Sequence, residues 1–316
     1  MIYHILSADN MFTTDQYVRD WEPQLKNSFH LIPLQELAEA ERLPVGTFIF
    51  SDIERQTLEQ RELLAQVWET LEAHGPPMRL LNHPLRAKRR FELLEMLAKE
   101  GRNSYRVFRC NEIPSDLRFP VFIRVATDHQ GPRTKRIFSW AGLESSIVAL
   151  AMRGFPVEHL AVIEFCDTSN SEGIFRKYSA YRVGDRIVPR GLNFSEKWYA
   201  KGRDMSPVWR SEPKWEYVRT NPDARALLEI FQLAEIEFGR IDYGINNGKV
   251  EVWEINTCPQ FSVGTPEWYF EDRRNYHQFC ADSLAGAFEA IGTPISDARV
   301  PIRMNWPTLP RVSEPA

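Results

Sequence analysis

Residues 239–256 read GRIDYGINNGKVEVWEIN, two runs of strand-forming residues around Asn-Asn-Gly. The turn can close in two ways. A two-residue Asn-Gly turn pairs Asn246 with Lys249; a three-residue loop with Gly248 left-handed pairs Ile245 with Lys249. Side chains alternate along a strand, so the closure sets which residues share a face. In the three-residue closure Ile241, Tyr243 and Ile245 fall with Trp253, Ile255 and Glu251. Arg240, Asp242, Glu254 and Asn256 then fall on the other face, with Gly244, Val250 and Val252. The two-residue closure puts Glu254 and Asn256 among Ile241, Tyr243 and Ile245, and burying an unpaired carboxylate there costs several kcal/mol. The three-residue loop, or an equivalent bulge, is therefore expected, with Arg240 opposite Glu254 and Asp242 roughly 7–8 Å away on the diagonal. Two carboxylates and an amide oxygen in one row are hard oxygen donors that suit Mg²⁺, which takes one or two carboxylates and completes its shell with water and phosphate oxygens. The competing reading is a solvated face with an Arg–Glu pair; the clean separation of the faces weighs against it.

The 316 residues can bury a core of two or three units. With 43% hydrophobic and 26% charged residues, the composition is that of an ordinary globular protein. A net charge of -4 gives no global attraction to nucleic acid or anionic lipid, so neither is an expected partner. The start, MIYHILSADN, has no basic leader, and no apolar run reaches membrane-spanning length, so neither a signal peptide nor a membrane span is expected. Cys110, Cys166, Cys258 and Cys280 have no paired spacing, which fits a reducing, cytoplasmic setting better than disulfides or zinc.

Strands at 2–8, 45–53 and 78–82 and a helix at 54–74 suggest a first α/β unit over 1–83. A helix opened by Pro84 and ended by Gly101, strands at 119–127, 136–140 and 159–165, and a helix at 141–154 give a second unit over 84–164. Strands at 174–183 and 186–192, a helix at 223–239, the hairpin and a helix near 272–291 make a third, over 165–300. Residues 301–316, rich in proline, read as an extended tail. The connection 193–215, with Trp198, Trp209 and Trp215, is too long to be idle and reads as a substrate loop.

GRIDYG…VEVWEINTCPQF resembles the metal-binding hairpin of the ATP-grasp superfamily, which includes D-alanine–D-alanine ligase, glutathione synthetase and the glutamate ligases that modify ribosomal-protein tails. The resemblance runs over roughly 80–265. It implies an α/β (α+β) ATP-grasp fold, with an N-terminal α/β domain before two subdomains that clasp the nucleotide. It implies ATP as cosubstrate and one or two Mg²⁺ (or Mn²⁺) on Asp242, Glu254 and Asn256, with Arg240 stabilising the transition state. Lys88, in NHPLRAKRRFELLEMLAKEG, is the residue that would face the nucleotide. FPVFIRVATDHQG is similar to the strand and loop over the phosphates; Arg124 stands where a lysine is usual, with a forked geometry in place of a point charge. His129 and Gly131 belong to that loop, which has one glycine. LAVIEFCD resembles the adenine hinge, giving Glu164, Phe165 and Cys166 that role and Glu172 the ribose. FRKYSAYRVGDRIVPR resembles the strand pair that carries basic residues to the γ-phosphate and acyl-phosphate, here Arg176, Lys177 and Arg190.

The implied reaction joins a small-molecule or peptide carboxylate to an amine, or a thiol, through an acyl-phosphate. A kinase with a hydroxyl acceptor and a non-catalytic ATP-binding module stay open beside it, as does a homodimer. Fold does not select substrate.

Overall fold

The computed structural model describes residues 1–126, 130–199, 208–261 and 264–302. His129 and all but the first two residues of the expected tail lie outside the described residues.

The first unit carries more structure than its sequence pattern suggests. It runs β1 (Ile2–Leu6), α1 (Met11–Asp20), β2 (Phe29–Pro33), α2 (Leu34–Glu39), β3 (Arg42–Pro44), β4 (Thr47–Phe50), α3 (Leu58–His74) and β5 (Arg79–Leu81). Four of these strands form a parallel sheet in the order β2-β1-β4-β5. The expected helix at 54–74 starts at Leu58, where Thr57 accepts from the Gln60 N–H and Gln60 reaches back to the Thr57 N–H. Its face Leu64, Val67, Trp68 and Leu71 packs on Phe48 and Phe50.

The second unit comprises α4 (Arg90–Lys99), β6 (Val107–Arg109), β7 (Val121–Val125), α5 (Trp140–Met152) and β8 (Leu160–Glu164), with an antiparallel sheet ordered β6-β8-β7. Two expectations change here. The helix begins at Arg90, six residues after Pro84, because residues 84–89 form a turn in which the Arg86 and Ala87 N–H groups donate to His83 O. The return at 136–140 is no strand; Val121–Ile137 and Arg124–Pro132 are isolated bridges.

The third unit holds β9 (Phe175–Val183), β10 (Arg186–Ser195), α6 (Ser211–Thr220), α7 (Ala224–Leu233), β11 (Phe238–Asn246), β12 (Lys249–Asn256) and α8 (Glu271–Ile291). Its sheet is antiparallel in the order β10-β9-β11-β12. One face receives α7 through Leu227, Ile230 and Phe231, against Ile241, Tyr243 and Ile255. A final strand, β13 (Arg299–Pro301), returns to pair with β3.

The first and third units share one core. Ile2, Tyr17, Trp21 and Phe29 pack with Tyr181, Phe238, Phe261, Leu284 and Phe288. Asn82, fully buried, ties the same seam: its amide donates to Phe50 O at 3.0 Å and Phe238 O at 2.7 Å, and its Oδ1 accepts from the N–H groups of Glu237 and Phe238. With all its hydrogen-bonding groups engaged, this buried amide fixes the first unit against β11.

A pH effect sits on the same seam. Buried Glu22 accepts from Gln278 Nε2, which also donates to Asp282 on α8. Burial first, and the charge of Asp282 second, push the Glu22 carboxyl up to about 7. The folded protein holds this proton more tightly than the unfolded chain, so the contribution to stability is full below the ordinary carboxyl pKa and is lost as pH rises through 7. Glu22→Gln is expected to raise Tm at pH 8 by a few degrees and to leave it nearly unchanged at pH 5, read by thermal melts at both.

Candidate active site

The hairpin reaches the expected face separation by a different route. Asn246 pairs with Lys249 around a two-residue turn, with Asn247 and Gly248 at φ 51° and 77°. Both positions are left-handed, as this turn requires, and Gly248 adopts the geometry without strain. The parity that would have buried Glu254 is reversed by a bulge at Trp253, between the Asp242–Glu254 and Tyr243–Val252 pairs. Of the two expected solutions the chain uses the equivalent bulge, on a two-residue turn, and not the three-residue loop. The facing pairs are corrected with it: Asp242 lies directly opposite Glu254, and Arg240 opposite Asn256. Val250 and Val252 move to the core with Ile241 and Tyr243, while Trp253 turns to the cleft. Glu251, fully buried, accepts from the Ser104 N–H at 2.9 Å.

A cleft of about 690 Å³ opens over the polar face. Asp242, Glu254, Asn256 and Arg240 form part of its floor, Lys177 and Arg176 reach it from β9, and Arg124 faces it from β7. Asp242 is 1% exposed and holds two cations: Lys177 Nζ at 2.7 Å and Arg240 Nε at 2.9 Å. Burial works against the charge on Arg240, but Asp242 and then Tyr181 outweigh it and hold the guanidinium protonated. Glu254 pairs with Arg90, and Arg124 Nη2 lies 3.8 Å from it. Asn256 Oδ1 accepts from the Cys258 N–H at 2.9 Å, which orients the amide oxygen. Two facing carboxylates and an aimed amide oxygen fit a hard divalent cation with phosphate or water in its remaining positions. No group of three His, Cys, Asp or Glu side chains suited to a metal occurs among the described residues, so the amide belongs to any such set.

Several predicted residues are placed elsewhere. Lys88 lies before the helix and pairs with Glu235 at 3.2 Å, away from the cleft; from that basic run it is Arg90, 6% exposed, that pairs with Glu254. Arg190 does not line the cleft: its Nε donates to Phe261 O at 3.0 Å and its Nη1 lies 3.4 Å from His277 Nδ1. Glu172 is exposed on a loop outside the cleft lining. Glu164 touches the cleft, but its carboxylate is committed: Arg106 Nη2 and Arg118 Nη2 reach it at 2.6 and 2.5 Å, and the Arg106 and Arg118 N–H groups donate at 3.0 Å. Burial would raise its pKa; these donors outweigh burial and hold it below the ordinary carboxyl value. The Phe165 N–H is spent on Pro120 O at 2.8 Å, while its ring lines the cleft. Burial, then Glu251, push up the Cys166 thiol, which accepts from Asn246 Nδ2 at 3.5 Å. Gly131, at φ 94°, is packed under Tyr199, whose hydroxyl would lie 1.9 Å from any Cβ added there.

Trp198, from the connection read as a substrate loop, lines the cleft, while its neighbours from the first unit went unread. Trp198 packs on Phe122 and Phe165 with ring centres 5.0 and 5.7 Å away. From the first unit, Asn10 donates to Asp52 at 2.6 Å and Arg55 pairs with the same carboxylate; both line the cleft. The one usable sequence signal was SDIER after an apolar strand, an acid and a base at a strand end.

No protein-family model matches the sequence, and no curated protein matches it. Solved structures do match. D-alanine–D-alanine ligase from Bacillus anthracis aligns with a TM-score of 0.51 at 14% identity, covering 92% of this chain and 97% of that one. The same enzyme complexed with ATP gives 0.50 at 13%, with the same coverage. The ATP-grasp ligase PsnB complexed with minimal precursor gives 0.49 at 13%, covering 90% and 98%. With the sheet orders and the hairpin described above, the chain has the ATP-grasp fold that it shares with D-alanine–D-alanine ligase.

Proposed function

We propose that this protein is an ATP-dependent ligase that joins a carboxylate to an amine, releasing ADP and phosphate. The observation that carries the reading is the pair Asp242 and Glu254, facing each other on the cleft floor amid Lys177, Arg240 and Arg124. Acidic and basic groups are interleaved there, as a site for a metal-bound triphosphate requires. Asp242, Glu254 and Asn256 would hold Mg²⁺, which supplies charge neutralisation on the phosphates when bound. Lys177 and Arg124 would transfer from the carboxylates to phosphate oxygens.

The substrate carboxylate attacks the γ-phosphorus and ADP departs, leaving an acyl-phosphate. The amine then attacks the carbonyl carbon; phosphate leaves and the nitrogen loses a proton. Arg240, held beside Asp242 and aimed into the cleft, would bear the oxyanion of the tetrahedral intermediate. Trp198, Phe122 and Phe165 give an apolar wall that limits water at the acyl-phosphate.

The test is an ADP-release screen over pairs of amino acids and small acids with Mg–ATP. At least one pair is expected to release ADP and yield a ligated product by mass spectrometry. Phosphorylated product without a new amide would transfer the reading to a kinase.

A further inference from the structure

Beside the cleft, four basic side chains converge, and among the described residues no carboxylate stands between them. Arg190 sits at the β10 bulge between Pro189 and Gly191 and contacts Phe261 O and His277 Nδ1. Arg273 and His277 lie one turn apart on α8, and Arg273 covers the Tyr269 and Trp209 rings at 4.7 and 5.4 Å. Lys214, on α6 and 7% exposed, has its Nζ 5.1 Å from the Trp209 ring and donates to the Leu192 carbonyl. Asp272, the neighbouring acid, is turned to the indole N–H groups of Trp209 and Trp215 at 2.6 and 3.0 Å.

The charged groups acting on His277 are Arg190, Arg273 and Lys214, all of one sign; after burial, they help bring its pKa down to about 2. Burial, then Arg273 and Arg190, bring Lys214 down to about 8. Arg273 Nε and His277 Nε2 are buried and have no hydrogen-bond partner among the described residues. Like charges gathered with no counter-ion among the described residues, and with donors left unspent, are costly unless an anion completes them. The cluster adjoins the cleft: Arg240 reaches Gln260 O at 3.5 Å, and Arg190 reaches the next carbonyl, Phe261 O, at 3.0 Å.

We propose that Arg190, Lys214, Arg273 and His277 seat a carboxylate carried by the amine acceptor, so that the acceptor is an amino acid or peptide and not a simple alkylamine. Naming the ligand as the acceptor rests on the ligase reading; the anion site stands on the cluster itself.

The experiment is calorimetric binding to the full chain, with Mg–ADP and at fixed ionic strength, of the twenty L-amino acids and their carboxamides. At least one acid is expected to bind about tenfold or more tightly than its amide, the weight of one lost charge-assisted contact. Arg273→Gln and Lys214→Met are each expected to weaken that acid about tenfold, Arg273→Lys to recover part of the loss, and all three to bind Mg–ATP like wild type. Melting curves establish that each variant is folded. Equal binding of acid and amide, no binding of any acid, or wild-type affinity in both Arg273→Gln and Lys214→Met overturns the proposal. Failure of Mg–ATP binding in wild type sinks the ligase reading instead, while the acid-against-amide comparison still reports on the anion site.

Discussion

Asp242→Asn and Glu254→Gln are each expected to cut Mg–ATP turnover on the order of 10³-fold, the scale of removing one electrostatic stabiliser from a dry site. Each change keeps shape and removes one negative charge. Lys177 and Arg240 then lose the anion that holds them at 2.7 and 2.9 Å, and Arg90 loses the charge of Glu254. The loss is expected mainly in kcat, with a tighter Mg²⁺ requirement: raising Mg²⁺ recovers part of the activity of Glu254→Gln, where Asp242 remains. ADP release across a Mg²⁺ titration, with Tm measured alongside, checks it. Wild-type turnover in both variants would remove the hairpin from the chemistry altogether.

Glu164→Ala is expected to destabilise the protein by about 3 kcal/mol, the low end for removing one partner of a buried ion pair. Glu164 is 2% exposed and accepts from both arginine side chains and both of their backbone N–H groups. Arg118 is 58% exposed and can rehydrate, which keeps the loss below the upper end. Deleting the carboxylate leaves the Arg106 and Arg118 N–H donors unpaired at the end of β8, one ahead of β6 and one ahead of β7. The pH sign follows from the lowered pKa. Its stabilisation is full above the ordinary carboxyl pKa and is lost as pH falls through the lower folded value, so Glu164→Ala is expected to flatten the acid limb of the stability curve. Urea melts at pH 7 and pH 3 read both effects. If Glu164 instead reads adenine, its loss would change ATP-over-GTP preference and leave urea midpoints alone.

Glu164 marks how far the sequence could be read. Glu164 stands in an apolar strand before Phe165, and the resemblance gave it the adenine. Its partners, Arg106 and Arg118, are 58 and 46 residues away and could be joined to it only by the sheet. Lys88 and Arg90 are two residues apart in one basic run; where α4 begins decides which meets Glu254. A start at Pro84 and a start at Arg90 rotate the run by more than a full turn. Helix α1 escaped notice because MFTTDQYVRD buries only Thr13, Thr14 and Tyr17, too few apolar positions for a helical stripe.

What the sequence determined by itself was the chemistry of one face. Asp242, Glu254, Asn256 and Arg240 had to stand together, because the alternative parity buries carboxylates against Ile241 and Tyr243, and that constraint holds whichever turn is used. How the parity is achieved belonged to the tertiary structure, which places the extra residue at Trp253, whose indole packs on Tyr105 across the seam with the second unit. The pairings of the charges were decided there too. Arg90 meets Glu254, Lys177 meets Asp242 and Arg190 turns to His277 through contacts between elements far apart in the chain, and no local pattern encodes such distances.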